Sequence, residues 1–492
     1  MDNRSIIKQL KLQASLMELH DENSFKIRGY QNAVFHLDKI ETPLSEMTLK
    51  ELEAIEGIGK GIAGTINEIG QEGSAASLEE LMKNTPEGII ELLDMRGIGP
   101  KKIKVLWREL GIESGHELKE AANSGLVAKL KGFGDKTQQA IIEALAFKEA
   151  NANKLHFAEA EKMADELISS LGELKLKAAC SGAMRRKLDV IEQIEVLLIT
   201  SDFDKTETDI NNADDFVQDA QKSGPSKWIG TFKEQLTPIC LIFTQPEDEI
   251  KNQLLYSASS QHLATPVLDK TTIRELALKD AKESEEAFYS SIGMQFIVPE
   301  LREGLFEIEG AKNDKLPELV EMSDLKGILH NHSTYSDGKN SLRDMALYCK
   351  ELGYEYLGMC DHSKSAFYAN GLKEDRILKQ HEEIDTLNKE LAPFKIFKGI
   401  ESDILFDGSL DYDDDVLESF DFIVASIHSQ LKMNKQKATQ RLLKAVENPY
   451  TTILGHPTGR LLLRREGYPI DHKPVIDNCA AHGVLIDINA NP

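Results

Sequence analysis

Ile328-Leu-His-Asn-His-Ser-Thr-Tyr-Ser-Asp-Gly338 brings two histidines, His330 and His332, and a carboxylate, Asp337, close together in the chain. If Ile328 to His332 is a strand, side chains two apart leave it on one face. The turn at Ser336-Asp337-Gly338 can then fold the carboxylate back toward both imidazoles. Imidazole and carboxylate together suit Zn, Mn or Fe. Taken alone, the stretch is equally consistent with two unrelated surface histidines beside a turn, so the rest of the chain has to decide.

Downstream, apolar runs are repeatedly followed by a metal-ligating residue type. Tyr354 to Cys360 leads into Asp361-His362, and Phe394 to Ile400 into Glu401. Phe422 to Ile427 leads into His428, and Thr452 to Gly455 into His456. Strands alternating with helices predict parallel βα units, and strand C-terminal ends are where such folds build sites. One such histidine is more often structural, but the repetition argues for a site.

This pattern resembles the PHP phosphoesterase domain over residues 324–492, which implies a distorted β/α barrel holding up to three ions, Mn²⁺ or Zn²⁺. By resemblance, His330 and His332 bind the first metal and Glu401 bridges to a second. His428 and His456 complete the second, and Asp337 and His362 belong to the third. Asp361 is expected to orient an imidazole. Arg460 and Arg464 are expected to grip substrate phosphate. The implied reaction is phosphodiester hydrolysis by a bridging hydroxide attacking phosphorus in line. The family closes this site with a later Asp-x-His pair. Here Ile486-Asp-Ile-Asn-Ala-Asn-Pro492 ends the chain, so a truncated barrel and a longer parent protein are expected.

Upstream, one motif occurs three times: Gly57-Ile-Gly59-Lys60, Gly97-Ile-Gly99-Pro-Lys101-Lys102 and Gly132-Phe-Gly134-Asp-Lys136. Apolar helical patterns flank each copy, over Leu49 to Ile55, Gly88 to Met95 and Leu118 to Leu130 on the N-terminal side. Glycines allow positive φ and close backbone approach. The following helix starts with free N–H groups that favour a phosphate. Three copies with nearby lysines predict contact with a DNA backbone, without base reading. They resemble the helix-hairpin-helix modules of family X DNA polymerases. In some members a lysine after the first hairpin forms a Schiff base; Thr65 stands at the matching position, so lyase chemistry is not expected.

Between these regions, Leu155 to Leu171 predicts a helix, and Lys175 to Cys180 and Ile191 to Ile199 predict strands. Gly182-Ala-Met-Arg-Arg186 before an acidic strand resembles the nucleotidyltransferase palm of the same family. That palm's Mg²⁺ carboxylates fall on Gln193, Glu195 and Cys240 here, and its triphosphate-binding serine on Ala183. An amide and a thiol are poor Mg²⁺ ligands, so Mg²⁺ and polymerase chemistry are not expected there. Tyr256 to Gly304 resembles the family's thumb.

The expected layout is multidomain: an α-helical hairpin domain (1–85), a fingers-like region with two more hairpins (86–150), an α+β palm (151–250), a thumb (251–305), a linker (306–323) and the PHP domain (324–492). The 492 residues carry a net charge of −24. Residues 1–150 hold 19 Lys+Arg against 24 Asp+Glu, and the remainder 39 against 58, so the acid excess lies mainly outside the hairpins. Five scattered cysteines without a CxxC pair fit a reducing cytoplasm. No apolar run approaches the ~18 residues of a membrane span. The expectation is a monomeric, nucleoid-associated repair protein acting on gapped, nicked or 3′-end DNA as a 3′–5′ exonuclease or abasic-site endonuclease. A working gap-filling polymerase and a non-catalytic DNA scaffold are the alternatives.

Overall fold

The computed structural model describes residues 1–37, 40, 42–95, 97–279 and 282–489. Arg96, just before the second glycine motif, and Ala490 to Pro492, the end of the last stretch quoted above, lie outside the described residues.

The N-terminal third is helical, and one apolar cluster runs through it from Ile6 to Leu145. Ile66, Leu92 and Leu106 are fully or almost fully buried within it, each side chain contributing about 1.5–3 kcal/mol. All three hairpins take one backbone form. Gly57, Gly97 and Gly132 have φ of 80°, 86° and 87°, the left-handed region that side chains disfavour. Gly59, Gly99 and Gly134 cap the helices Lys60–Glu72, Pro100–Leu110 and Asp135–Asn151. The helix predicted over Leu118 to Leu130 instead ends at Asn123, because Gly125 turns the chain at φ 75°.

The middle region is a mixed five-stranded sheet. Its spatial order is Lys177–Cys180, Ile194–Ile199, Ile239–Thr244, Lys227–Phe232, Phe216–Gln218. The central pair is parallel and sets Glu195 opposite Cys240. Helix Phe157–Glu173 packs Ala160, Leu167 and Leu171 into the same core as Trp228 and Phe232. A second, helical unit follows, and a buried carboxylate ties it to the sheet region. Glu285 takes Arg185 at 2.9 and 2.5 Å and Arg302 at 2.7 Å. The expected linker begins with a short helix, Glu307–Lys312, whose Ile308 and Ala311 join this unit's core.

The C-terminal region holds six parallel strands paired in chain order: Gly327–Asn331, Tyr356–His362, Lys395–Asp403, Phe422–Ser426, Ile453–Leu454 and Leu485–Ile486. Helices Leu342–Glu351, Glu374–Leu391, Lys435–Val446 and His472–His482 fall between strands. Such a singly wound parallel sheet is half of a β/α barrel, and its strand ends lie along one edge. Among the described residues, no helix is long and apolar enough to cross a membrane.

Candidate metal centre

Glu401 occupies the middle of the site. It is 1% exposed, inside the Lys395–Asp403 strand and in register with His362 on the next strand. Its Oε1 lies 2.9 Å from His330 Nε2, 3.0 Å from His428 Nε2 and 3.0 Å from His456 Nε2. Its Oε2 lies 2.9 Å from His362 Nδ1 and 3.6 Å from His332 Nε2. Asp337 comes within 3.8 Å of His332 and 3.7 Å of His362. All seven residues expected to bind metal are thus brought together.

Three sets of ligand atoms lie within 4.8 Å of one another: His330, His332 and Glu401; His332, Asp337 and His362; His362, Glu401 and His428. Glu401 Oε2, His332 Nδ1 and His362 Nδ1 are buried with no aligned hydrogen-bond partner. Orphaned buried polar atoms are costly, and divalent ions would satisfy them. The donor set of imidazoles and carboxylates therefore fits divalent metal ions.

The route to this geometry differs from simple strand alternation. The first strand bulges between Ile328 and Asn331, and His330 sits at φ 58°. His332 falls just past the strand end. The bulge re-aims a side chain, and it leaves the two imidazole centroids 5.6 Å apart.

Two carboxylates that the motifs did not single out hold the imidazoles. Asp403 Oδ1 is 2.6 Å from His428 Nδ1, and Asp487 Oδ2 is 2.8 Å from His330 Nδ1. Both leave the imidazole's Nε2 facing Glu401, the arrangement that fixes tautomer and ring orientation at metal sites. Strand periodicity could have found Asp403, two residues from Glu401 on one face. The strand-end rule could have found Asp487, just after Leu485–Ile486.

The electrostatics follow from crowding without metal. Burial alone would raise Glu401, yet the imidazoles of His330, His362, His428 and His456 hold it well below the usual carboxylate range. Burial would lower His330, but Asp487 and Glu401 push it up to about 9. The same opposition, with Asp403 and Glu401 prevailing, pushes His428 up to about 10. Burial and neighbouring His362 push His332 down to about 4.

Three expected roles change. Asp361, fully buried, orients no imidazole. Its carboxylate accepts from Ser333 N–H (2.8 Å) and Oγ (2.7 Å), Ser336 N–H (3.1 Å) and Oγ (2.5 Å), and Gln380 Nε2 (2.6 Å). It therefore pins the turn that carries Asp337. Arg460 lies 3.8 Å from Asp189 and lines a cleft against the middle sheet. Arg464 lines a second cleft with Asp94, Phe147 and Leu431. The cause is the hairpin pairing Leu461 with Arg465, with Leu463 at φ 58°, which carries these side chains away from the histidines.

Ala183, Arg186, Gln193 and Glu195 line the first cleft, about 520 Å³ in volume, with Leu461 to Leu463 on its far wall. Cys240 is buried behind Glu195, and burial pushes its thiol up to about 11. Arg186 is held by Glu303 at 2.6 Å. At the hairpins, Lys101 is 86% exposed, with Glu18 3.8 Å away. Thr65 is buried, and its hydroxyl lies 3.0 Å from that of Tyr30.

A helix-hairpin-helix domain matches residues 1–75, a SAM-like helix-hairpin-helix tandem residues 89–146, and a PHP domain residues 329–484. The DNA polymerase/3′–5′ exonuclease PolX of Bacillus subtilis is 34% identical over 100% of this chain and 88% of its own length. Proteins named probable phosphatases match shorter shares of the chain. One from Caldanaerobacter subterraneus is 28% identical over 22% of this chain and 41% of its own length. One from Thermoanaerobacter sp. is 27% identical over 34% of this chain and 65% of its own length. With helix-hairpin-helix and PHP domains in place and likeness along its full length, the chain belongs to the PolX family of DNA polymerase/3′–5′ exonucleases.

Proposed function

We propose that the cluster around Glu401 hydrolyses phosphodiester bonds at DNA 3′ ends or abasic sites while the three hairpins hold the DNA backbone. The observation that carries this is one buried carboxylate enclosed by five imidazoles, with Glu401 Oε2, His332 Nδ1 and His362 Nδ1 left for cations. His330, His332, His362, His428, His456, Asp337 and Glu401 would hold Mn²⁺ or Zn²⁺. Such ions supply a reactive water at neutral pH and neutralise charge developing at phosphorus. Asp403 and Asp487 keep the His428 and His330 rings aimed inward. Asp361 fixes the turn bearing Asp337. Helix N-termini at Lys60, Pro100 and Asp135 offer N–H groups to phosphates.

A second reading is DNA synthesis in the middle region, and likeness over the whole chain to a protein named a DNA polymerase favours it. Against it stand Gln193 and Cys240 at two of the three expected Mg²⁺ positions, since Mg²⁺ demands hard oxygen ligands. We therefore propose that this cleft does not extend primers. Purified protein with a 5′-labelled primer–template decides both points. Shortening with Mn²⁺ that His330→Ala abolishes supports the nuclease. Extension with Mg²⁺ and dNTPs that Glu195→Gln abolishes would establish the polymerase instead.

A further inference from the structure

The loop after His362, a ligand of the metal cluster, carries two consecutive aromatic residues in a short 3-10 turn, Phe367–Ala369. Phe367 is 86% and Tyr368 66% exposed. Among the described aromatic residues none is more exposed than Phe367. The Tyr368 ring centroid is 6.2 Å from that of His362.

The loop that carries them is tied down at both ends. Ser363 N–H donates to Glu401 O at 3.0 Å, and Leu372 N–H donates to His362 O at 2.8 Å. Ser365 N–H reaches Asp411 at 2.6 Å, and its hydroxyl donates to the same carboxylate. Tyr412 takes Lys364 N–H at 3.1 Å and donates to Leu372 O at 2.5 Å. Gly371 has no room for a Cβ, which would collide with the Ser363 carbonyl oxygen. The fold thus fixes the backbone while leaving both rings in water, an arrangement that wastes apolar burial unless a ligand covers them.

We infer that Phe367 and Tyr368 form a stacking platform for the unpaired terminal base of a DNA strand whose phosphate lies at the metal cluster. The inference rests on the nuclease reading above. One observation and two physical arguments favour a base as the occupant. The Tyr368 ring centroid is 6.2 Å from that of the ligand His362, on the scale separating a base from its own phosphate. Hairpins that hold the DNA backbone, as proposed above, would leave the bases ungripped. Stacking on aromatic rings is the sequence-tolerant way to hold single strands. An end must fray before it can lie on the platform, so unpaired 3′ termini would be preferred over blunt ones.

The test uses the full chain and a single strand ending in 3′ 2-aminopurine, its last linkage a phosphorothioate, with Mn²⁺. Stacking quenches the fluorophore, so quenching is expected with the unaltered protein. The double variant Phe367→Ala/Tyr368→Ala should lose it, and Phe367→Trp should keep it. On ordinary strands, Phe367→Ala should raise KM about 5- to 100-fold, the size of one lost base stack. That loss should shrink when the terminal nucleotide lacks a base. Absent quenching, quenching undiminished in the double variant, or an equal KM loss on the baseless terminus would each overturn the platform. If the unaltered protein trims no strand, the nuclease reading fails by itself, and the quenching result still decides the platform.

Discussion

Replacing Asp361 separates a turn-pinning carboxylate from a metal ligand. Asp361→Ala removes the acceptor for five donors. Ser336 N–H keeps the Ser333 carbonyl at 3.0 Å, and the two hydroxyls can rotate. Ser333 N–H and the Gln380 amide are left buried without a partner. At about 1–3 kcal/mol for each orphaned donor, the local cost is about 2–6 kcal/mol. Asp361→Asn should cost less, about 1–2 kcal/mol, because an amide oxygen still serves Ser333 and only charge assistance is lost. Gln380 can turn over to present Oε1, now unpaired, to the new NH₂ group. Amide exchange of residues 333–338 reads local opening of the turn directly, and Mn²⁺ titration reads the site. Exchange should speed strongly in the Ala form and mildly in the Asn form, with Mn²⁺ affinity falling in the same order. If both forms lost Mn²⁺ equally while exchange stayed at the original rate, Asp361 would be a ligand and this account of it would be wrong.

Metal ligands must be deprotonated, so with His330 raised to about 9 and His428 to about 10, Mn²⁺ binding at pH 7.5 should release about two protons; calorimetry in buffers of different ionisation enthalpy counts them. Both imidazoles are raised above 6.5, so their pairing stabilises the metal-free protein fully below about pH 6.5 and is lost as pH climbs through about 9 to 10. Thermal melts of metal-free protein should fall across that window and those of the Mn²⁺ form less. Asp403→Asn and Asp487→Asn should each weaken metal binding about 10- to 100-fold with the fold retained; an unchanged titration would remove their orienting role. Lys101→Ala should weaken DNA binding evenly across sequences and lower the salt slope by about one; a sequence-dependent loss would argue for base contact.

Much of the site was legible because ligands followed apolar runs, and a residue at a strand end needs no long-range information to be placed. The hairpins were legible for a similar local reason, a glycine pair opening each helix. What the sequence concealed lay in depth and direction. Asp361 precedes a histidine, but its side chain turns back to Ser333 and Ser336 on another strand's loop. Arg460 and Arg464 follow His456 closely, yet the hairpin from Leu461 to Arg465, with Leu463 at positive φ, leaves Arg460 at the cleft against the middle sheet and Arg464 at the second cleft beside Asp94 and Phe147. The bulge at His330 replaced the expected alternation while delivering the same cluster, since burial of Glu401 fixes where the imidazoles converge. Asp403 and Asp487 stood at positions that strand periodicity and the strand-end rule mark, but which imidazole each holds emerges only once His428 and His330 are placed opposite them.

The most direct measurement follows a 5′-labelled single strand with Mn²⁺, comparing the unaltered chain with Glu401→Gln. The variant removes the charge on which five imidazoles converge, so the rate should fall by about a thousandfold, the loss of several kcal/mol of charge stabilisation. DNA binding through the hairpins should persist in the same protein. Trimming by Glu401→Gln at the original rate would contradict a catalytic centre at this cluster.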